Sequence, residues 1–173
     1  RAALEIGTPV LSDGGEHTGG VEGAFRIDTL NSTVFPTEGT LLTASYDVSL
    51  DSLGADTSYH TAFVSAAHAW TKGKNTVEAL LQAGSNFDSQ TTAFNLFRLG
   101  GLGRLSGYAE NQLIGPRMGL ARLMYYRQLV RLNVSSLRIR AFAGASLETG
   151  NVYAKEQPVS WSTVRWSGGP FVG

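Results

Sequence analysis

Two histidines on one extended segment, a serine set among glycines and a scatter of opposed charges are the groups in this sequence with chemical potential. His60 and His68 share one face of a segment of alternating pattern, together with Trp70. They stand eight residues apart, about 26 Å along a strand at roughly 3.3 Å per residue, so they cannot hold one metal ion. They suit aromatic positions, or polar positions facing an interior. His17 lies in a Gly-rich stretch and is expected to be solvated. Ser106 stands in Gly103-Arg104-Leu105-Ser106-Gly107. A hydrolase elbow needs G-x-S-x-G between a strand and a helix, whereas this is G-x-x-S-G inside a loop. No base and orienting group can be paired with it. The chain is therefore expected to carry no catalytic residue, cofactor or metal, and not to be an enzyme.

Composition narrows the classes further. Fourteen Lys and Arg balance fourteen Asp and Glu, which gives no basic surplus for nucleic acid. The absence of Cys among the 173 residues excludes a disulfide framework and any thiolate zinc site. The longest uncharged apolar runs are a few residues, far short of the roughly 20 that a membrane-spanning helix needs. The chain opens at Arg1 without a signal peptide, which suggests an internal piece of a longer protein. Gly169 to Gly173 suggests a strand cut short.

The dominant period is two. Leu42, Ala44, Tyr46, Val48 and Leu50 alternate with Thr43, Ser45, Asp47 and Ser49. Val21, Phe25 and Ile27 alternate with Glu22, Arg26 and Asp28. Val77, Ala79, Leu81 and Ala83 oppose Glu78, Gln82 and Asn86, with Leu80 as an exception. Leu137, Ile139, Ala141, Ala143, Ala145 and Leu147 oppose Arg138, Arg140, Ser146 and Glu148. This pattern predicts about eight strands, at 1–7, 20–30, 40–50, 57–71, 75–88, 118–129, 136–149 and 159–168. Most are longer than the usual 5–6 residues, and strands of about ten residues suit a tilted bilayer crossing. One face is small and apolar, the other charged. That predicts an all-β, antiparallel, up-and-down transmembrane β-barrel with its apolar rows toward lipid and its polar rows toward a wet lumen.

The connections sort into two ends. Lys72-Gly73-Lys74, 31–39 and 130–135 fall at one end, expected to be periplasmic, and 8–19, 51–56, 88–117 and 149–158 at the other. Tyr46, Tyr59, Tyr125, Tyr126, Trp70, Trp161 and Trp166 are expected to form interfacial girdles. Arg122 and Arg127 have opposite parity on one strand. An outward arginine is tolerated only near an interface, so Arg127 is expected outward, near the periplasmic end.

The loop 88–117 is longer than compact domains usually allow, which marks it as functional, and its glycines favour a tucked-in course. Its FRLGGLGRLSGYAENQLIGP resembles the sixth extracellular loop of the outer-membrane assembly and two-partner secretion barrels, the bacterial surface antigen superfamily. Arg26 to Leu30 followed by Phe35-Pro36-Thr37-Glu38-Gly39-Thr40 resembles an aspartate–FPT-x-G hairpin of those barrels. Ser146 to Tyr153 resembles their acidic-x-Gly-Asn-Val strand end, with Glu148 in the acidic position. The wording LSGY, LIGP and LARLMYYRQL is most similar to the barrel of patatin-like phospholipase autotransporters.

The resemblance implies a single barrel domain over 1–173, about eight strands of a sixteen-stranded barrel in the bacterial outer membrane. It also implies anchoring, and translocation or display of an attached phospholipase domain whose catalytic groups lie upstream. The partners implied are outer-membrane lipids and that upstream passenger; self-association is a further expectation. In the family a loop arginine pairs with the wall acid, but here Ser106 stands in its place. A bare carboxylate in a shielded lumen is costly, so Glu148 should be paired by Arg104 or by the wall residues Arg138 and Arg140. Arg104, Gly107 and Tyr108 would set the inward loop. A barrel for outer-membrane assembly or two-partner secretion, and a soluble β-barrel binding a small apolar ligand, are the alternative readings.

Overall fold

The computed structural model describes every residue except 1, 8–9, 14–15, 89–94, 135–136 and 159, and gives the backbone alone for 2–7, 10–13, 16, 18, 131–134, 137–139 and 161. Its strands are β1 (Ala2–Gly7), β2 (Val10–Asp13), β3 (Glu16–Asp28), β4 (Gly39–Ser49), β5 (Tyr59–Lys72), β6 (Asn75–Asn86), β7 (Phe97–Leu99), β8 (Leu113–Gly115), β9 (Arg117–Val134), β10 (Leu137–Tyr153) and β11 (Arg165–Val172). All pairings are antiparallel, in the order β1-β3-β4-β5-β6-β9-β10-β11. β2 extends the end of β3 by pairing with Glu16–Gly19. Among the described residues β11 does not pair with β1, so the sheet is an open wall. In lipid, an unpaired strand edge leaves several kcal/mol of unmet hydrogen bonding per group. The wall is therefore that of a partial β-barrel.

The period of two becomes two physically distinct faces. Register places Asp47 opposite Thr61 and Glu22, Gln82 opposite Ser65 and Leu120, and Glu148 opposite Arg122 and Ser167. These residues line the inner face. The large exposed apolar side chains Val21, Phe25, Tyr46, Val64, Trp70, Leu81, Leu123, Tyr125, Leu147 and Trp166 all stand on the other row. Leu81, near mid-strand, is 62 % exposed. An uncovered apolar row of this kind is what lipid requires and water opposes.

The aromatic residues divide by face. Trp70 and Tyr125 lie outward at the end of the Gly73 turn, where the Tyr125 hydroxyl donates to Asn75 Oδ1 at 2.8 Å. Tyr46 and Trp166 lie outward at the opposite end. These four fit girdles at both interfaces. Tyr126 does not: it points inward and is fully buried. Tyr59, opposite Ser49, is also inward. The side chain of Trp161 lies outside the described residues. His60 and His68 face outward rather than into the lumen. His60 Nδ1 lies 3.2 Å from the Tyr46 hydroxyl, and the His68 ring stacks on Trp70 at 5.5 Å. Arg127 is outward, beside the short turn and opposite Asn75.

Several boundaries differ from the alternation pattern. The stretch 8–19 holds β2 and the start of β3, so His17 sits on a strand; it stays exposed, and its backbone N–H donates to Asp56 Oδ2 at 2.6 Å. That bond holds the exposed Asp56 carboxyl below its ordinary value. β9 and β10 pair on past the expected start of their link at 130, as far as Val134 and Leu137, and a register shift between Ala141 and Phe142 leaves Leu129 unpaired and resets the alternation on β9. Gly169 to Val172 continues β11 rather than starting a new strand.

The two faces predict opposite costs for one charge. In the full-length protein, Leu81→Arg should lower barrel stability by about 2–4 kcal/mol, as an arginine near the bilayer midplane does. Ser45→Arg, on the inner row two residues from Asp47, should cost far less. Heat-modifiable gel mobility against urea checks this, and equal losses would contradict the assignment of faces.

Candidate functional site

Residues 95–116, ahead of β9, fold back against the inner wall. Their short hairpin, β7 with β8, pairs Phe97 with Gly115 and Leu99 with Leu113. Between them the chain makes a run of tight turns. Gly100, Gly101 and Gly103 all take positive φ, and so does Leu105, at 74°. For glycine this costs nothing steric, but for leucine it is strain of order 1–3 kcal/mol. Burial offsets the strain: Leu105 and Leu99 are both 0 % exposed. They pack on Ala67, Leu80, Met118 and Leu120, with Phe63 and Phe97 at the margin. Leu80, the apolar exception on a polar row, thus has its reason: it is inner wall covered by the loop.

Gly84 permits this approach, because a side chain there would run into the Phe97 ring. Arg122 holds the loop from the wall. Its Nη1 donates to the Gly103 carbonyl at 3.1 Å, and its Nη2 donates to Glu78 Oε1 at 2.6 Å. Arg122 and Glu78 form a shielded ion pair, with side chains 18 % and 6 % exposed. In such a pair a lost partner leaves a buried charge unmet, at a cost of about 3–5 kcal/mol.

Glu148 forms the second attachment and is fully buried. Its Oε2 accepts from the Ser106 backbone N–H at 2.5 Å, the Ser106 hydroxyl at 2.8 Å and the Ser167 hydroxyl at 3.0 Å. Its Oε1 accepts from the Ser146 hydroxyl at 3.0 Å. The Ser167 oxygen also accepts from the Gly107 N–H at 3.1 Å. Gly107 has little spare room, since an added Cβ would stand 3.3 Å from Ser167 Cβ. Tyr108 is held by Arg165, whose Nη1 donates to its hydroxyl at 3.1 Å while the guanidinium carbon lies 5.2 Å from the ring centroid.

The expected arginine partner for Glu148 is thereby corrected. The Arg104 guanidinium turns back to the Arg98 carbonyl at 3.2 Å. Arg140 is exposed beyond the bulge, and the side chain of Arg138 lies outside the described residues. Neutral donors satisfy the carboxylate instead, which suits a position already beside Arg122 across the strand pair. Ser106, Gly107, Tyr108 and Glu148 do come together. Arg122, Glu78, Ser146, Ser167 and Arg165 join them, and only their inward parity marked them in the sequence.

Strands with an outward apolar row and a lumenal loop latched to the wall define the wall of a transmembrane β-barrel. The model of the Omp85 superfamily domain matches residues 10–172, and the chain belongs to this superfamily. No curated protein matches the chain. Domains of the superfamily are outer-membrane barrels of Gram-negative bacteria and are not themselves catalytic.

Each hydrogen bond to a carboxylate contributes about 1.5–3 kcal/mol. Glu148→Ala should therefore loosen the loop by at least about tenfold in the docked equilibrium, with Ser106→Ala intermediate. Extracellular protease cutting within 97–117, in intact cells making the full-length protein, reports this. Unchanged cutting in Glu148→Ala would show that the latch does not hold the loop.

Proposed function

We propose that this barrel anchors the protein in the outer membrane and helps translocate or display an attached patatin-like phospholipase domain. Superfamily membership supports a barrel of the assembly or secretion kind. The finer reading is supported by the wording of the docked segment and the strand after it, Leu105-Ser106-Gly107-Tyr108, Leu113-Ile114-Gly115-Pro116 and Leu120 to Leu129. The observation that carries it is the serine at Ser106. A loop arginine is replaced by a hydroxyl and an N–H, and the wall supplies the serines and Arg122 that complete the latch.

The proposed partners are outer-membrane lipids along the exposed apolar row and the upstream passenger in the same chain; self-association belongs to the same proposal. In cells making the full-length protein, the upstream domain should hydrolyse phospholipid and reach the surface. Glu148→Ala and Arg122→Ala should lower the surface-exposed fraction, read by antibody binding to whole cells. An upstream region of repeated periplasmic modules without a hydrolase would instead place the barrel with the assembly or two-partner secretion transporters.

A further inference from the structure

The link between β3 and β4, residues 29–38, does more than join two neighbouring strands. Phe35 stacks on Phe142 at 5.1 Å and on Phe171 at 5.8 Å, and meets the buried Tyr126 edge-on at 5.6 Å. Those residues belong to β9, β10 and β11. From β4 to β10 the sheet order crosses β5, β6 and β9, which at roughly 4.8 Å per strand is about 19 Å along the wall. The link covers that span as a strap across the concave face, at the end of the short turns.

Two hydrogen bonds to its backbone hold the strap. The Tyr126 hydroxyl donates to the Pro36 carbonyl, and the Thr71 hydroxyl donates to the Thr37 carbonyl at 2.5 Å. Asn31 stiffens it from within. Its Nδ2 donates to Thr37 Oγ1 at 2.6 Å, and its Oδ1 accepts from the Thr37 N–H at 2.9 Å. At its exit Gly39 has φ of 108°, and a Cβ there would run into the Thr29 carbonyl oxygen, so the position calls for glycine. Above the strap lies a cavity of about 450 Å³, lined by Val34 and Phe35 from the strap, Leu102 and Gly103 from the docked loop, and Glu78 and Glu148 from the wall. The loop bounds this chamber from one end and the strap from the other.

We propose that the 29–38 strap is a gate at the second mouth of the lumen, in series with the docked loop, with Phe35 as its bolt. Among the described residues, the Phe35 ring and two hydrogen bonds to carbonyls fasten the strap to the distant strands, so it can leave without breaking the sheet. The proposal rests on the functional reading only for the name of that mouth, the periplasmic one.

The test uses the full-length protein reconstituted in planar lipid bilayers, with Glu148→Ala as the background so that the loop is loosened throughout. Adding Phe35→Ala should raise ion conductance severalfold over the background. Adding Tyr126→Phe with Thr71→Val, which spares the stack and removes the two bonds to the strap together with the contact of the Thr71 hydroxyl with Thr76 Oγ1 at 2.6 Å, should raise the opening frequency. Either variant, folded by heat-modifiable mobility yet conducting no more than the background, would overturn the gate. Failure of both to insert would also overturn it, by making the strap a brace. The conductance does not depend on the passenger, so loss of surface display with gating intact would sink the functional reading alone.

Discussion

A bilayer gives the backbone nothing to bond with, and the structure follows from that constraint. Each strand must find its partners in other strands, and each outward side chain must tolerate hydrocarbon. The chain answers with long antiparallel strands whose outward row is mostly apolar and aromatic, with His60, His68 and Arg127 toward its ends. Every polar group that has a task is thereby driven to the inner face. Glu78, Arg122 and Glu148 share that face because the other one is closed to them.

An inner face lined with charges and hydroxyls can hold a loop by directional bonds, where an apolar face would hold it by area alone. The docked loop uses both. Leu99 and Leu105 bury completely on a small apolar island of Leu80, Met118 and Leu120, while Arg122 and Glu148 fasten the backbone at Gly103 and Ser106. The strained Leu105 is tolerated because it is held on both sides, by Arg104 and Ser106 in the turn and by the island beneath. Glu148 is not left bare by the absence of a charged partner in the loop. Three serines, one backbone N–H and a neighbouring arginine engaged elsewhere provide for it.

Much of the fold was legible because alternation is a local signal that register preserves. Leu42 to Leu50 and Val77 to Ala83 predicted their faces directly, and the parity of Arg127 placed it outward near a turn. Long-range geometry was not legible. Nothing near Glu148 in the sequence announces Ser167, nineteen residues on, and no local pattern shows Arg122 reaching Gly103. The preference for an arginine such as Arg104 or Arg140 as its partner followed charge alone and overlooked that a backbone N–H with hydroxyls can serve a carboxylate as well. Tyr126 misled for a related reason: a strand-end tyrosine suits a girdle by composition, but its parity puts it inside, under Phe35.

The two-faced wall is tested most directly by spin labels placed one at a time from Leu41 to Val48 in the full-length protein, which has no native cysteine in this region to interfere. Collision with oxygen, which concentrates in lipid, is compared with collision with a water-soluble nickel chelate. Oxygen maxima at Leu42, Ala44, Tyr46 and Val48, with nickel maxima at Thr43, Ser45 and Asp47, are the predicted result. The opposite phase, or no alternation, would contradict the account.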